Sequence, residues 1–72
     1  MDLNFYYEII TDIWRLLKKY HQPVDQDQYW LNLTDEVNAF CEKYNKNEFA
    51  CEMVFGMMSE LERVFLSKRA MA

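Results

Sequence analysis

The residues of this chain that could carry chemistry are two cysteines, one histidine and a few clustered acidic side chains. Cys41 and Cys51 are separated by nine residues, and His21 is the only imidazole. A zinc site needs four ligands at spacings such as C-x2-C, which these three residues do not provide. Free cysteine is among the most buried residue types. We therefore expect both thiols to pack in a core, although a disulfide or redox switch stays open as the alternative.

The acidic residues after Pro23 imitate part of a calcium loop. Asp25, Asp27 and a glutamate at position 36 have the spacing of its outer ligands. Such a loop also needs an oxygen ligand at its fifth position and glycine at its sixth, and here Tyr29 and Trp30 occupy them. Both aromatic residues suit helix packing better. The sequence therefore predicts no metal and no cofactor.

The composition argues against an enzyme. The chain has 72 residues, with one histidine, one glycine and one proline, which leaves almost nothing for a catalytic triad or a phosphate-binding loop. A chain of this size is one domain, over residues 1–72, and buries only about 60% of the surface that it exposes when unfolded. We predict no catalytic residues and a marginal core, which a partner would complete.

The charge balance argues against nucleic-acid binding. The chain has 12 acidic against 8 basic residues, for a net charge of −4, and no basic face emerges that could displace counterions from phosphate. The reverse possibility, an acidic DNA mimic or another nucleic-acid-related regulator, is the alternative function. The chain has one modest cluster of acidic residues that could serve such a mimic: Asp25, Asp27, Asp35 and Glu36.

The chain shows no targeting or membrane signal. Its start, Met1-Asp2-Leu3-Asn4, has an acid where a signal peptide has basic residues. The longest apolar run, 53–58, is far shorter than the roughly 20 residues of a membrane span. Two cysteines are too few for a disulfide scaffold. These features predict a cytoplasmic protein that does not enter a membrane.

The elements that must position these residues are three helices. Apolar residues recur at steps of three and four, without β-type alternation, over about 3–20, 26–44 and 48–68. Pro23 ends the first helix, Asp25 and Gln28 have capping-box spacing for the second, and Asn45 or Asn47 can cap the third. The prediction is an all-α fold, a compact three-helix bundle in which helices two and three form an antiparallel hairpin, with a frayed C-terminus.

The apolar stripes predict the core. On the first helix the seam passes through Ile10, Ile13 and Leu17, with Trp14 beside it. Adding the stripes of the other two helices, the predicted core is Ile10, Ile13, Trp14, Leu17, Trp30, Leu33, Val37, Phe40, Val54, Met57, Met58, Leu61 and Phe65.

The third helix differs from the others because it is apolar around most of its circumference. In a three-helix layer each helix has only two neighbours, so part of this surface is left over. We infer that the helix packs centrally and that Phe55 and Leu66, or Phe49 and Met53, contact another chain. The plainer alternatives are that the other helices wrap it more fully, or that one patch stays exposed as on ordinary monomers.

One resemblance adds context. The stretch from Tyr29-Trp30 through Asp35-Glu36-Val37-Asn38-Ala39-Phe40, with Glu42-Lys43-Tyr44 and later 59–63, resembles small helical proteins of unknown function from phages and mobile elements of Firmicutes. The resemblance implies an accessory protein of a mobile element, and it brings no ligand or catalytic residue. We therefore expect a small acidic module that binds protein, either a second copy of itself as a homodimer or a larger protein as an inhibitor or adaptor.

Overall fold

The computed structural model describes residues 2–71, and helices make up most of that span. Helix α1 spans Leu3–Tyr20, α2 spans Asp27–Lys43 and α3 spans Glu48–Met71. The start of α1 lies beside the end of α2, where the Phe5 and Tyr44 rings meet. Consecutive helices therefore run antiparallel, and α3 packs against both of the others. The fold is the predicted all-α three-helix bundle, with α2 and α3 as its antiparallel hairpin.

The first helix begins at an aspartate cap and ends close to a proline. Asp2 Oδ1 accepts a hydrogen bond of 2.9 Å from the Phe5 backbone N–H, which satisfies one of the unpaired donors of the first turn. Lys18 and Lys19 in the last turn suit the negative end of the helix dipole. The helix ends at Tyr20, before the residue that Pro23 forces out of the helical region.

The second helix begins differently from the prediction. Its N-cap is Gln26, in extended conformation and without a side-chain cap hydrogen bond, so the predicted capping box of Asp25 and Gln28 is wrong. Two aromatic side chains of the first turn hold this end instead. The Tyr29 hydroxyl donates to the Tyr20 carbonyl at 2.5 Å, and Trp30 Nε1 donates to the Val24 carbonyl at 3.1 Å.

The hairpin turn uses the asparagines as predicted. Asn45 and Lys46 are left-handed, with φ of 54° and 56°, a conformation that asparagine tolerates better than most residues. The Lys46 N–H donates to the Cys41 carbonyl at 2.7 Å. Asn47 then caps α3, because its Oδ1 accepts from the Ala50 N–H at 3.0 Å.

The core lies along α3 and is sealed by the other two helices. Of the core residues predicted on α3, Val54, Met57 and Leu61 are buried, and Ala50 is buried with them. On α2, the predicted core residues Leu33, Val37 and Phe40 are also buried. Partly buried side chains pack around this cluster, among them Ile13, Leu17, Trp30 and Met58.

The predicted orientation of α1 is wrong at two positions. Ile10 and Trp14 lie on the exposed side, whereas Ile9 and Tyr20 are buried. The physical reason is that α1 carries apolar residues on more than one face, so periodicity alone did not choose between them. In the bundle Ile9 is fully buried, while Asp12 turns toward α2 and binds side chains there.

The third helix is longer than predicted. It runs through Met71, so the frayed end expected after residue 68 is wrong over 69–71. Lys68 and Arg69 in its last turn suit the helix dipole, and the Arg69 guanidinium lies 5.7 Å from the centre of the Phe65 ring. The extra turn contributes to an elongated molecule of 45 × 19 × 18 Å. The two terminal positions of the predicted domain, Met1 and Ala72, lie outside the described residues.

Candidate functional site

The four residues predicted to bind a partner do not form one cluster. Phe49 is half-buried, with its ring 5.0 Å from that of Tyr6 on α1. Met53, one turn along, is 38% exposed. Phe55 and Leu66 are 49% and 60% exposed and share the opposite side of α3, but they stand about 16 Å apart along the helix axis. The sequence therefore identified exposed apolar residues on α3, but they are divided between two faces.

A longer apolar surface lies on α1, and sequence reasoning missed it. Leu3, Tyr7, Ile10 and Trp14 are 82%, 69%, 51% and 57% exposed. Their spacing of four, three and four residues places them in one line along the helix. We call these four residues the outer stripe of α1. It lies roughly a third of the circumference away from the buried face that contains Ile9.

A signal for the outer stripe was present in the sequence. The first helix contains two sets of apolar residues at steps of three and four, and only one set can face the core. The inner set is Phe5, Ile9, Ile13, Leu16 and Tyr20, and the structure packs it on the bundle. The third helix was predicted to have more apolar surface than the core can bury. The first helix has a similar excess of apolar surface, which was not predicted.

The outer stripe ends in a hollow. Trp14, Leu17, Lys18 and His21 line a surface depression of about 250 Å³ at the C-terminal end of α1. At the other end Leu3, the most exposed residue of the stripe, is the first residue of α1 and has no preceding turn of helix beside it. The outer stripe therefore begins with a protruding leucine at its N-terminal end and finishes beside a depression at its C-terminal end.

Charges of opposite sign flank the two halves of α1. Asp2 and Glu8 stand in the N-terminal half, and Arg15 and Lys18 stand in the C-terminal half, all of them exposed. Arg15 Nη1 also lies 3.5 Å from Asp12 Oδ1. The exposed charges of α1 therefore change from acidic to basic along the helix, and Lys18 is the one that adjoins the outer stripe.

Two half-buried carboxylates, Asp12 and Glu36, bind side chains across the contact between α1 and α2 and so fix the angle at which α1 presents this surface. Asp12 Oδ2 accepts hydrogen bonds of 2.6 Å from both the Tyr44 hydroxyl and Lys43 Nζ. Burial alone would raise the pKa of Asp12, but these hydrogen bonds and the nearby cations outweigh it and lower that pKa. Burial and the bond to Asp12 together raise the pKa of Tyr44.

Glu36 repeats the arrangement nearer the other end of the helix pair. It accepts from the Tyr20 hydroxyl and from Lys19, whose Nζ lies 3.3 Å from Glu36 Oε1. Burial and the bond to Glu36 raise the pKa of Tyr20 to about 12. For Glu36, burial opposes ionisation, but the tyrosine and lysine donors lower its pKa overall. Each carboxylate is therefore held ionised as a cross-link between α1 and α2, which is a structural role.

A groove lies between these two cross-links, and a second hollow lies on α3. The groove has a volume of about 290 Å³, with Leu16, Ala39 and Phe40 on its floor and charged residues at its rim. The hollow near the end of α3, about 400 Å³, is lined by Trp30, Met58, Glu62, Phe65 and Leu66. It contains one of the predicted partner-binding residues, Leu66.

The two cysteines meet across the hairpin. Cys41 is buried, Cys51 is half-buried, and both are free thiols. Burial, followed by hydrogen bonding with Cys51, raises the pKa of Cys41 to about 11. A thiol with so high a pKa is a poor nucleophile and a poor metal ligand at neutral pH. This arrangement suits the predicted role in packing.

No group of three His, Cys, Asp or Glu that could hold a metal ion occurs within the described part of the chain. Over the same residues, no helix is both long and apolar enough to span a membrane. Comparisons with protein-family models, curated proteins and solved structures found no match to this chain. The surface features of the fold are therefore what indicates its function.

Proposed function

We propose that this chain is a small non-catalytic module that binds protein, and that the outer stripe of α1 is its main contact surface. The observation that supports the proposal is the exposure of Leu3, Tyr7, Ile10 and Trp14 in one line along a helix. Contiguous apolar patches on soluble proteins mark interaction sites more often than isolated apolar residues do. Tyr and Trp are also the residues most enriched at the energetic centres of interfaces.

The geometry of the stripe suits recognition of another helix. Apolar residues spaced by four, three and four residues are the anchors that an amphipathic helix presents to a groove or to a partner helix. The cross-links of Asp12 and Glu36 hold α1 in place from the opposite side. A surface fixed before binding loses less conformational entropy when its partner docks.

Phe55 and Leu66 on α3 form a second proposed surface. Both are exposed, and Leu66 adjoins the hollow lined by Trp30 and Phe65. Their separation along the helix makes them less suited to a single compact contact than the outer stripe is. We keep them in the proposal as a separate site, whose effect on binding can be measured independently of α1.

The wider context is also a proposal. The partner is either a second copy of the chain or a larger protein, on which the chain acts as an inhibitor or adaptor. The chain acts in the cytoplasm. It is an accessory protein of a phage or mobile element. The free thiols fit a reducing compartment. The alternative of an acidic DNA mimic draws less support, because Glu36, one of the four clustered acids, is paired with Lys19 and Tyr20.

Site-specific photo-crosslinking in the native host tests the proposal. A photoreactive phenylalanine analogue replaces Tyr7 on the outer stripe, and in separate chains it replaces Phe55 of α3 or, as a control, the exposed Asn38 of α2. We expect protein adducts from position 7 that are absent from position 38. Adducts from position 55 alone would move the main contact surface to α3.

The same experiment can contradict the proposal. If neither position 7 nor position 55 gives more protein adduct than position 38, the chain does not bind protein through its exposed apolar residues. Retention on heparin that falls with rising salt would then support the nucleic-acid alternative, because phosphate binding is salt-dependent.

A further inference from the structure

We propose that the occupant of the outer stripe is a second copy of this chain, docked antiparallel so that the two α1 helices pack across a twofold axis. This inference rests on the proposed function and names its partner. The outer stripe has three properties that match an inverted copy of itself: the spacing of its residues, its shape and its charge.

The spacing of the outer stripe is that of a short helix-helix seam. Leu3, Tyr7, Ile10 and Trp14 are followed by Leu17 at the next step of three and by His21 at the next step of four. Alternating steps of three and four keep one line of side chains facing a partner helix over successive turns. Five residues of α1, followed by its C-cap His21, thus provide a continuous seam along the helix.

The shape of the stripe is complementary to its own inverted copy. A twofold axis between Ile10 and Trp14 places Ile10 of each copy against Trp14 of the other. The same axis brings Leu3, which protrudes at one end, to the depression beside Trp14, Leu17 and His21 at the other end. A twofold interface requires one patch to be complementary to itself, and a protrusion and a depression at opposite ends meet that requirement.

The charges favour the antiparallel orientation over the parallel one. In an antiparallel pair, Glu8 of one α1 lies on the same side of the seam as Arg15 and Lys18 of the other, at a similar level along the axis. A parallel pair would place these opposite charges on different sides of the seam, so their attraction would be lost. Electrostatic complementarity chiefly sets the orientation of a contact and suppresses the wrong arrangement.

The area of the stripe predicts a weak dimer. Large aromatic side chains offer about 150–250 Å² each, so the exposed parts of the four stripe residues amount to roughly 500 Å² per copy. Two copies together then bury about 1,000 Å², close to the lower limit for a specific interface. We therefore expect a monomer and dimer in exchange at micromolar concentrations, with a dimer at millimolar concentrations.

Sedimentation equilibrium of the purified chain, from micromolar to millimolar concentrations, tests whether this dimer forms. The variants are Ile10→Glu on the outer stripe, Phe55→Glu on α3, and Leu31→Glu as the control, because Leu31 is an exposed apolar residue of α2 away from the stripe. We expect Ile10→Glu to weaken dimerisation at least tenfold, with unchanged helical circular dichroism. Leu31→Glu and Phe55→Glu should leave the dissociation constant of the chain unchanged.

Cysteine cross-linking tests the orientation. Thr11 flanks the seam close to the proposed twofold axis, so Thr11→Cys should form a disulfide-linked dimer in a glutathione redox buffer. In a parallel pair the two copies of residue 11 would lie on opposite sides of the seam. Ser59→Cys on α3 and the unmodified chain serve as controls, and neither should cross-link to the same extent.

Three results would overturn the inference. A monomer throughout the concentration range would exclude a second copy as the partner, whereas photo-adducts with a larger protein at Tyr7 would still support the proposed function. A dimer that Phe55→Glu disrupts and Ile10→Glu does not would place the interface on α3. A dimer without a Thr11→Cys cross-link would exclude the antiparallel arrangement.

Discussion

Replacing Tyr44 with phenylalanine removes one hydroxyl from the cross-link between α1 and α2. That hydroxyl donates to Asp12 at 2.6 Å. The tyrosine ring is buried against Phe5 and Phe40, with centroid distances of 5.8 Å and 5.0 Å. Phenylalanine keeps this ring and its packing, so no cavity forms. The variant therefore isolates the hydrogen bond from the packing.

The expected loss follows from the partners of Asp12. A hydrogen bond to a charged group contributes about 1.5–3 kcal/mol. Lys43 still binds Asp12 in the variant, so we expect the lower value, about 1.5 kcal/mol. Each kcal/mol shifts the Tm of a domain this small by about 4–8 °C, so the Tm should fall by about 6–12 °C.

The dependence on pH gives a second readout of the same bond. The pKa of Asp12 is lowered in the folded state, so its stabilisation is present above the unfolded pKa and is lost as the pH falls through the folded pKa. Tyr44→Phe removes one of the donors that lower this pKa. We therefore expect the free energy of unfolding to depend less on pH between about pH 5 and about pH 2 in the variant.

Urea unfolding followed by circular dichroism, repeated across this acid range, measures both effects. Tyr7→Phe is the matched control, because Tyr7 is exposed and its change should stay within about 0.5 kcal/mol. If Tyr44→Phe changes the free energy of unfolding no more than Tyr7→Phe does, the Asp12 cross-link does not stabilise the bundle. An unchanged acid dependence would separately refute the assigned shift in the pKa of Asp12.

The remaining predictions concern the core, one glycine and the thiols. Ile9→Ala should lower the free energy of unfolding, measured in urea, by about 2–5 kcal/mol, and Ile10→Ala should lower it by less than about 1 kcal/mol, because only Ile9 is buried. Equal losses would mean that α1 turns a different face to the core. Gly56→Ala should stabilise α3 by about 0.5–1 kcal/mol, seen as a higher Tm, because the added methyl group meets nothing within 4 Å; a lower Tm would reveal a close neighbour. Cys41, with its pKa raised to about 11, should react with a thiol reagent far more slowly in the folded chain than in urea. Reductant should leave the Tm unchanged, because both thiols are free, and a lower Tm would reveal a disulfide between Cys41 and Cys51.

The candidate site was only partly predictable. The sequence indicated surplus apolar surface and placed it on α3, where Phe55 and Leu66 are indeed exposed. It did not reveal the outer stripe of α1, where Ile10 and Trp14 were expected in the core. A periodic pattern gives the spacing of apolar residues around a helix. When a helix has two lines of apolar residues, as α1 has, the shape of the neighbouring helices decides which line is buried.

The helices themselves follow from local properties of the sequence. Steps of three and four between apolar residues, the break at Pro23 and the asparagines of the second turn predict three helices and their antiparallel hairpin, because these signals act within a few residues of one another. The core stripes of α2 and α3 were predictable for the same reason. On α2 one stripe carries most of the apolar residues, and on α3 the buried band contains the predicted Val54, Met57 and Leu61.

Tertiary structure alone decided which face of α1 is buried. Asp12 must reach Tyr44 and Lys43, and Tyr20 must reach Glu36, across separations of 16 to 32 residues in the sequence. A carboxylate that is partly removed from water, as Asp12 and Glu36 are, loses free energy unless such donors bind it. These contacts therefore select one rotation of α1, and that rotation turns Ile9 inward and leaves Ile10 and Trp14 facing the solvent.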